Sequence, residues 1–287
     1  MSAPISNKGL LVTGAAGFIG SNFCHYWLQH HPRSTLVALD ALTYAVNLHN
    51  LGGLESHSTF HFVHGDVNDA ELVERMMIEH QINVIVHFAT ESHVDRSVYD
   101  LDTFIQTTII STHNLLRVAR KLLLDDPQRH ILHRFHHIST DEVYGTLGPK
   151  DPPFREDTPY APNSPYAASK TGSDHLVRAY QHTYGLGTTT SNCSNNYGPY
   201  HFPEKLNPLS SSSIFSTVSL CPFIAMARRS ATGFMCKTTA GGLRPFWSKL
   251  RKGKSTILAA AMSGRTSILF LSLARSWMNC LPVIRDG

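Results

Sequence analysis

Short apolar runs alternate with amphipathic stretches along the first two thirds of the chain, and this alternation predicts the fold. Six runs have the length of strands, and the first, GLLVTG, is a short apolar run that ends in glycine, as a buried strand does. Between them, apolar residues recur at helical spacing. Strands that alternate with helices indicate an α/β protein with a doubly wound parallel sheet. The predicted strands cover 9–14, 34–40, 59–66 and 82–89, a run that ends at Thr140 and one that begins at Gly187, and the predicted helices cover 17–31, 70–80, 103–124 and 168–184.

The pattern changes after about residue 208. A serine-rich stretch is followed by sequence without this alternation, and no Asp or Glu occurs between Glu204 and Asp286. A globular segment of that size normally carries several acidic residues. We therefore divide the chain into an α/β domain, residues 1–209, and an aberrant tail, residues 210–287, which we expect to be disordered or poorly packed.

Composition narrows the possible functions. The net charge of +4 is modest and its Lys and Arg residues are scattered, whereas a nucleic-acid binder usually has a concentrated basic stripe. The five cysteines lack metal-ligand spacing, and the 18 histidines form no HExxH-type pattern. No apolar run is long enough to span a bilayer, and no signal peptide is recognised. We expect no metal, no nucleic-acid partner, no membrane span and a cytoplasmic location.

A glycine-rich turn follows the first predicted strand. In TGAAGFIG, Gly14, Gly17 and Gly20 lie where the strand turns into a helix. Glycine permits the tight turn and leaves room for a pyrophosphate, which the N–H groups of the helix N-terminus can bind. Asp40, at the end of the second strand, is placed to accept hydrogen bonds from an adenosine ribose, which favours NAD over NADP. The turn predicts a Rossmann-like, NAD-binding sheet; a turn without a ligand is the alternative.

Two further motifs carry acid–base chemistry. Tyr166 and Lys170 share one helix face, and an ammonium beside a phenol favours the phenolate, so Tyr166 can act as a base. Thr140, Asp141 and Glu142 follow a strand at the carboxyl edge of the sheet, where ligands bind. They also resemble a helix N-cap, which is the alternative interpretation. A simple alcohol oxidation needs one base, so the additional acid and base require an explanation.

With these motifs, residues 8–209 resemble the dTDP-glucose 4,6-dehydratases of the extended short-chain dehydrogenase/reductase superfamily. The resemblance implies a lyase that oxidises the glucosyl C4 hydroxyl with NAD, eliminates water across C5 and C6, and returns the hydride to C6. It also implies a nucleotide-sugar substrate, a role in deoxysugar biosynthesis and a homodimer. The segments that carry it are VTGAAGFIGSNF, LDALTYAVNL, HFATESHVDRS, HHISTDEVYG, SPYAASKTGSDHLVRAY and SNCSNNYGPYHFPEKL.

The resemblance assigns catalytic roles. Tyr166, tuned by Lys170, would be the base at the C4 hydroxyl, and Thr140 would hydrogen-bond the same oxygen. Glu142 would take the C5 proton, and Asp141 would protonate the departing C6 hydroxyl. For that role Asp141 must hold a proton near neutral pH, so we expect burial and the neighbouring carboxylate to raise its pKa.

The resemblance also assigns binding residues. The chain departs from the family pattern at two cofactor positions, Ala41 and Thr90, and at Val46, the segment Thr107 to Thr112 and Asn207. The implied NAD contacts are Gly14, Gly17, Phe18, Ile19, Gly20, Asp40, Ala41, Leu42, Thr43, Asp66, Val67, Phe88, Ala89, Thr90, Glu91, Ser92, Thr107, Tyr166, Lys170 and Asn196. The implied substrate contacts are Ser92, Thr140, Asn195, Lys205 and Leu206.

The tail has a reading-frame interpretation. The family continues with a smaller domain that holds an Arg-Asp-Trp-x-Tyr-Val stretch, which grips the diphosphate, and a Tyr-Asn-Ile-Gly stretch, and neither occurs here. Codons for Asp-Trp-Phe-Tyr, GAC TGG TTT TAT G, read one base later as Thr-Gly-Phe-Met, which is Thr232 to Met235. TAC AAT ATT GGC shifts to Thr-Ile-Leu-Ala, which is Thr256 to Ala259. We predict out-of-frame translation from about Ser210, so that the substrate domain is missing or scrambled; a divergent domain is the alternative.

Two other functions stay open. A UDP-sugar epimerase or decarboxylase would share the glycine turn and the Tyr166–Lys170 pair, but would not need both Asp141 and Glu142. An inactive NAD-binding remnant would need neither carboxylate. The preference for dTDP rests on the family resemblance alone.

Overall fold

A computed structural model of the chain describes residues 9–43, 46–91, 99–125, 133–148, 151–194, 196–201, 234–235 and 255–258. All six predicted strands are present. The strands are β1 (Gly9–Thr13), β2 (Leu36–Asp40), β3 (Phe60–His64), β4 (Ile82–His87), β5 (Arg134–Thr140), β6 (Thr188–Cys193), β7 (Asn196–Tyr197), β8 (Phe234–Met235) and β9 (Ser255–Leu258). The α-helices are α1 (Phe18–His30), α2 (Ala70–Glu79), α3 (Leu101–Phe104), α4 (Ser111–Leu123) and α5 (Pro165–Tyr184).

The main sheet is parallel and has the order β3-β2-β1-β4-β5-β6-β9. The chain runs outward from β1 through β2 to β3, and then returns to place β4 on the other side of β1. This reversal is the topological switch point of a doubly wound sheet, beside whose carboxyl ends ligands bind. The predicted Rossmann-like fold is therefore confirmed.

Helices cover both faces of the sheet, which explains why its inner strands are buried. The strands β1, β2 and β4 are largely apolar, whereas β5 and β6 are buried but largely polar. On one face, Leu10 and Val12 of β1 belong to a buried cluster with Phe23 of α1. On the other face, Leu11 belongs to a second cluster with Leu115 of α4. The sheet therefore forms a rigid base, and its carboxyl edge carries the loops that form the candidate site.

Two helices begin earlier than predicted. The helix predicted from residue 168 begins at Pro165, because the Ser164 hydroxyl accepts a hydrogen bond from the Ala167 N–H (3.1 Å) and proline is favoured in a first turn. The helix predicted from residue 103 begins at Leu101, where the carboxylate of Asp100 caps it. Its next segment, Ile105–Ile110, is π-helical rather than regular.

The tail prediction stays a prediction, since most of residues 210–287 lie outside the described residues. The described parts are β8, which pairs with β7, and β9, which pairs with β6. Neither pairing was expected from the sequence. Both strands overlap the segments that the shifted codons match, Thr232–Met235 and Thr256–Ala259.

None of the helices within the described ranges has both the length and the apolar character needed to cross a bilayer.

Candidate active site

The glycine turn forms a cradle at the switch point. Gly14 has a φ of +65°, and a Cβ there would lie 2.7 Å from the backbone nitrogen of Ala89, so only glycine fits between β1 and the end of β4. A Cβ on Gly20 would lie 2.1 Å from the carbonyl oxygen of Gly14. Gly17 precedes the first turn of α1, and a Cβ there would meet only that same oxygen, at 3.3 Å. The open side at Gly17 and the N-terminus of α1 fit a pyrophosphate.

Asp40 connects the cradle to the end of β2. Its carboxylate accepts hydrogen bonds from the N–H groups of Ala16 (2.9 Å) and Leu42 (2.9 Å). Burial raises the pKa of Asp40, and these two N–H groups oppose that rise. A carboxylate has about four acceptor positions, so Asp40 can still accept hydrogen bonds from a ribose. The chain thus fits a dinucleotide without a 2′-phosphate.

The other predicted cofactor residues follow the same edge. Asp66 is exposed and its carboxylate accepts a hydrogen bond from the Asn68 N–H (2.8 Å), while the Thr107 hydroxyl donates to the Thr103 carbonyl (2.7 Å). Four predicted residues, Ser92, Asn195, Lys205 and Leu206, lie outside the described residues. The remaining members follow strands or begin α1: Phe18 and Ile19 in α1, Ala41 to Thr43 after β2, Val67 after β3, Phe88 to Glu91 after β4, and Asn196 in β7.

A short turn at the end of β5 presents the two carboxyl groups. The Thr140 hydroxyl accepts a hydrogen bond from the Glu142 N–H (3.2 Å), which caps one turn of 3-10 helix, Asp141–Tyr144. The capping interpretation is therefore correct, but it does not exclude a catalytic role. The cap fixes the backbone of this turn, and both carboxylates lie close enough to the Tyr166 phenol to raise its pKa.

Burial changes the acidity of both carboxyl groups. It raises the pKa of Asp141 to about 6. Burial also raises the pKa of Glu142, and the negative charge of Asp141 adds to that effect. The predicted rise for Asp141 is confirmed with burial as its cause. The neighbouring carboxylate, however, raises the pKa of Glu142 rather than that of Asp141.

Tyr166 and Lys170 share a buried face of α5, but they do not act on each other as predicted. Burial, followed by the charges of Glu142 and Asp141, raises the pKa of Tyr166. The Lys170 ammonium donates to the carbonyl oxygen of Ile138 on β5 (2.7 Å), and burial lowers its pKa to about 8. The predicted lowering of the Tyr166 pKa is therefore wrong in this structure, because the charges acting on the phenol are negative.

Sequence reasoning missed a buried polar group behind this site. Asp174 lies one helical turn beyond Lys170, and its carboxylate accepts hydrogen bonds from Ser139 and Tyr160. His137 on β5 lies beside it. The sequence did contain a signal for Asp174, because it follows Tyr166 and Lys170 at intervals of four residues. This spacing places all three side chains on one helix face.

The arrangement provides three proton-transfer groups at the carboxyl edge, beside a cradle for a dinucleotide. A phenol, a carboxyl group with a pKa near 6 and a second carboxylate can act at three positions of one small molecule. Within the part of the chain that the structure describes, no three His, Cys, Asp or Glu side chains are grouped to hold a metal ion.

Comparisons with known proteins agree with this geometry. A sequence profile described as GDP-mannose 4,6 dehydratase matches residues 11–216. The dTDP-glucose 4,6-dehydratase of Xanthomonas campestris pv. campestris (strain B100) is 56% identical over 201 residues, which are 69% of this chain and 56% of that protein. The chain thus spans little more than half the length of the curated relatives that it matches.

Solved structures show the same relationship. A dTDP-glucose 4,6-dehydratase from Bacillus anthracis str. Ames, in complex with NAD, is 33% identical, with 96% of this chain and 82% of that chain covered and a TM-score of 0.76. One from Streptomyces venezuelae, also with NAD bound, is 35% identical, with coverages of 94% and 81% and a TM-score of 0.75. The chain therefore belongs to the family described as GDP-mannose 4,6 dehydratase, in which these relatives are dTDP-glucose 4,6-dehydratases.

Proposed function

We propose that this chain carries the catalytic part of an NAD-dependent dTDP-glucose 4,6-dehydratase, a hydro-lyase of deoxysugar biosynthesis. One observation carries the proposal: the Tyr166 phenol shares a buried site with two carboxyl groups, and burial raises the pKa of one of them, Asp141, to about 6. Relatives that act on dTDP-glucose, two of them crystallised with NAD, support the choice of substrate and cofactor.

The first step is oxidation at C4 of the hexose. NAD, when bound, supplies the hydride acceptor and a positively charged ring that stabilises a neighbouring phenolate. Tyr166 takes the proton of the C4 hydroxyl, and the Thr140 hydroxyl hydrogen-bonds the same oxygen. Gly17 leaves room for the pyrophosphate, while Asp40 binds the adenosine ribose and disfavours a 2′-phosphate.

The second step is loss of water across C5 and C6. The C4 ketone acidifies the C5 proton, which Glu142 takes. The C6 hydroxyl leaves with a proton from Asp141, so that one water molecule is formed. The hydride removed from C4 would then return to C6 while C5 takes a proton back from Glu142, so that NAD is regenerated. An acid and a base are both required, and Asp141 is the better acid because its buried carboxyl group retains part of its proton near neutral pH.

An epimerase or decarboxylase explains the site less well. Either reaction would use Tyr166 beside the dinucleotide cradle, but neither requires a buried carboxylic acid as proton donor. The shifted pKa values of Asp141 and Glu142 therefore favour dehydration.

Incubation with dTDP-glucose and NAD tests the proposal. The expected product is a 4-keto-6-deoxy sugar, recognised by its alkali-induced absorbance and by a mass lower than that of the substrate by one water. A product that keeps its C6 hydroxyl would favour an epimerase. If a chain translated with the corrected reading frame binds NAD but forms no product, the result would favour the inactive remnant.

We also propose that residues from about Ser210 onward are out-of-frame translation, as the codon matches and the missing acidic residues suggest. The diphosphate-gripping stretch is then lost, so we expect the chain to bind NAD but to turn over slowly. Resequencing the gene tests this idea, and an intact reading frame through the tail would refute it.

The remaining parts of the proposal concern location and assembly. We keep the cytoplasm as the location and a homodimer as the assembly, with the long helices 103–124 and 168–184 as the pairing surface. Exposed apolar side chains on these segments, Ile110 and Tyr184, support that surface. Light scattering of the purified chain tests for a dimer, and fractionation of the source cells tests the location.

A further inference from the structure

A buried histidine lies next to the glycine cradle and has no part in the reaction described above. His87 is the last residue of β4, immediately before Phe88, and is 1% exposed. Its Nδ1 lies 2.7 Å from the Thr13 hydroxyl on β1, and its Nε2 lies 3.0 Å from the Thr112 hydroxyl on α4. Both ring nitrogens are therefore hydrogen-bonded to hydroxyl groups, each from a different element.

The bond at Thr112 determines which ring nitrogen carries the proton. The Thr112 hydroxyl lies 2.6 Å from the carbonyl oxygen of Thr108, and a carbonyl oxygen can only accept. Two oxygens at this distance need a proton between them, so Thr112 donates its only proton to Thr108. The Thr112 oxygen must then accept from His87, whose Nε2 therefore carries a proton.

The bond at Thr13 shows that Nδ1 carries none. If Nδ1 accepts, the Thr13 hydroxyl donates to it, and the Thr13 oxygen can accept the backbone N–H of Ala89, which lies 3.4 Å away. A protonated Nδ1 would leave the proton of the buried Thr13 hydroxyl without an acceptor in the part of the chain that the structure describes. His87 is thus the neutral Nε2–H tautomer. Burial, with the charges of His137 and Lys170, also holds the pKa of His87 well below 6.5.

These hydrogen bonds fix a wall of the cradle. Thr13 immediately precedes Gly14, and its carbonyl oxygen accepts a hydrogen bond from the Phe88 N–H (3.1 Å). A Cβ on Gly14 would lie 2.7 Å from the Ala89 nitrogen, so the ends of β1 and β4 are in close contact. His87 therefore joins the two strands where three of the implied NAD contacts, Gly14, Phe88 and Ala89, lie.

The same hydrogen bonds extend to the helix that carries Tyr166 and Lys170. The Thr108 carbonyl oxygen also accepts from the Ser173 hydroxyl on α5 (3.0 Å), which shares its proton with the Ser169 carbonyl oxygen (3.2 Å). Buried hydrogen bonds thus connect β1 and β4, which form the cradle, with α4 and α5.

We propose that His87, as the Nε2–H tautomer, is a positioning residue that holds the ends of β1 and β4 in the shape that binds NAD. This inference deepens the proposed function and rests on it for NAD as the ligand of the cradle. A cradle whose backbone is already fixed loses less conformational freedom on binding, so it binds more tightly. Loss of either hydroxyl partner should therefore weaken NAD binding, although both partners, Thr13 and Thr112, are buried away from the ligand.

Calorimetric titration of the full chain with NAD tests the proposal. Thr13→Val and Thr112→Val keep nearly the same side-chain shape and remove the hydroxyl, and we expect each to weaken NAD binding by about tenfold. Thr112→Ser keeps the hydroxyl and should retain most of the affinity. Both valine variants act through His87, so their combined effect should be smaller than the product of their separate effects.

Thr189→Val is the matched control, because the chain contains a second buried histidine of the same kind. The Thr189 hydroxyl lies 2.8 Å from Nδ1 of His136, and the Ser191 hydroxyl lies 3.2 Å from its Nε2. These contacts join β5 to β6, which do not form the cradle. Urea denaturation of Thr189→Val should show a loss of stability similar to that of Thr112→Val, while NAD affinity stays the same.

Two results of this comparison would overturn the proposal. One is unchanged NAD affinity in a folded Thr112→Val chain. The other is equal weakening of NAD binding in Thr112→Val and Thr189→Val, which would show that NAD affinity follows stability in general.

A second measurement needs no variant and covers the case in which the valine chains do not fold. ¹⁵N NMR of ring-labelled histidine distinguishes a nitrogen that carries a proton from one that accepts, and nuclear Overhauser contacts with the methyl groups of Thr13 and Thr112 identify His87. We expect a protonated Nε2 and an unprotonated Nδ1 near neutral pH. The opposite tautomer, or a doubly protonated ring, would overturn the proposal.

The outcomes for this inference and for the proposed function can be distinguished, because neither measurement needs a sugar. A chain that binds NAD but forms no product would contradict the proposed function, while its NAD affinities would still decide the role of His87. A chain that does not bind NAD would overturn both.

Discussion

Asp141 and Glu142 are neighbours on one short turn, and burial raises the pKa of both carboxyl groups. The sequence predicted the pair and the raised pKa of Asp141, because a carboxyl group at the end of a buried strand is partly removed from water. It did not predict the state of Tyr166 and Lys170. Spacing along a helix tells which residues share a face, whereas the contact of Lys170 with Ile138 depends on how α5 packs against β5.

The first prediction concerns Asp141 as a general acid. In Asp141→Asn the side chain can no longer protonate the departing C6 hydroxyl, so dehydration should slow by about 10²–10⁴-fold. Oxidation at C4 should persist, and NADH absorbance should accumulate when dTDP-glucose is added to the frame-restored enzyme. Asp157→Asn, at an exposed surface position, serves as the control. Dehydration at the original rate in Asp141→Asn would refute the assigned role.

The second prediction concerns the stability cost of the same carboxyl group. Burial raises the pKa of Asp141 from 3.8 to about 6, so the folded state disfavours its ionised form. At a pH below the pKa that Asp141 has in the unfolded chain, this carboxyl group is protonated in both states and does not oppose folding. As the pH rises through about 6, its ionisation destabilises the folded state. At pH 7, Asp141→Asn should raise the free energy of unfolding by about 1–3 kcal/mol, measured by urea denaturation.

At about pH 4 the gain should largely disappear, because the unfolded chain then also holds much of the proton. The exposed control Asp157→Asn should change stability by less than about 0.5 kcal/mol at either pH. A pH-independent effect of Asp141→Asn would show that lost contacts, and not ionisation, determine its stability.

At the scale of elements, the strands were predictable and some helix boundaries were not. Parallel strands buried on both faces are continuously apolar, so β1, β2 and β4 are recognisable in the sequence. The π-helical segment Ile105–Ile110 has no such signature, since it depends on packing around one turn. The pairing of β9 with β6 joins distant parts of the chain, and local patterns do not report it.

The third prediction separates two glycines of the cradle. Gly20→Ala would place a Cβ 2.1 Å from the Gly14 carbonyl oxygen, so it should lower the free energy of unfolding by about 1–3 kcal/mol. In Gly17→Ala the Cβ would lie 3.3 Å from the same oxygen, a tight contact that a shift of a few tenths of an ångström relieves, and φ is ordinary, so the loss of stability should be much smaller than in Gly20→Ala. The methyl group of Gly17→Ala would instead meet the pyrophosphate, and we expect at least about tenfold weaker NAD binding.

Calorimetric titration with NAD and urea denaturation of both variants test this separation. Unchanged NAD affinity in a folded Gly17→Ala chain would place the pyrophosphate elsewhere. Full stability of Gly20→Ala would show that α1 can move away from the turn.

At the scale of the whole molecule, the chain matches its relatives over only part of their length. It spans 56% of the X. campestris enzyme, and the match in sequence stops close to where the acidic residues disappear. The division at about residue 209 stays a prediction, since most of the tail lies outside the described residues. The catalytic groups and the cradle lie on the Rossmann-like part, so NAD binding and substrate binding should be separable.

The fourth prediction uses that separation to test the reading frame. Correcting the frame near codon 210 should restore the Arg-Asp-Trp and Tyr-Asn-Ile-Gly stretches and the grip on the diphosphate. Binding energy from that remote group positions the hexose, so turnover of dTDP-glucose should rise by about 10²-fold or more, while NAD affinity stays the same. Introducing Asp141→Asn into the corrected chain is the control, since it should remove the restored dehydration. If the original chain turns over as fast as the corrected one, the tail is a working substrate domain, and the pocket that it forms recognises the diphosphate without the family's stretch.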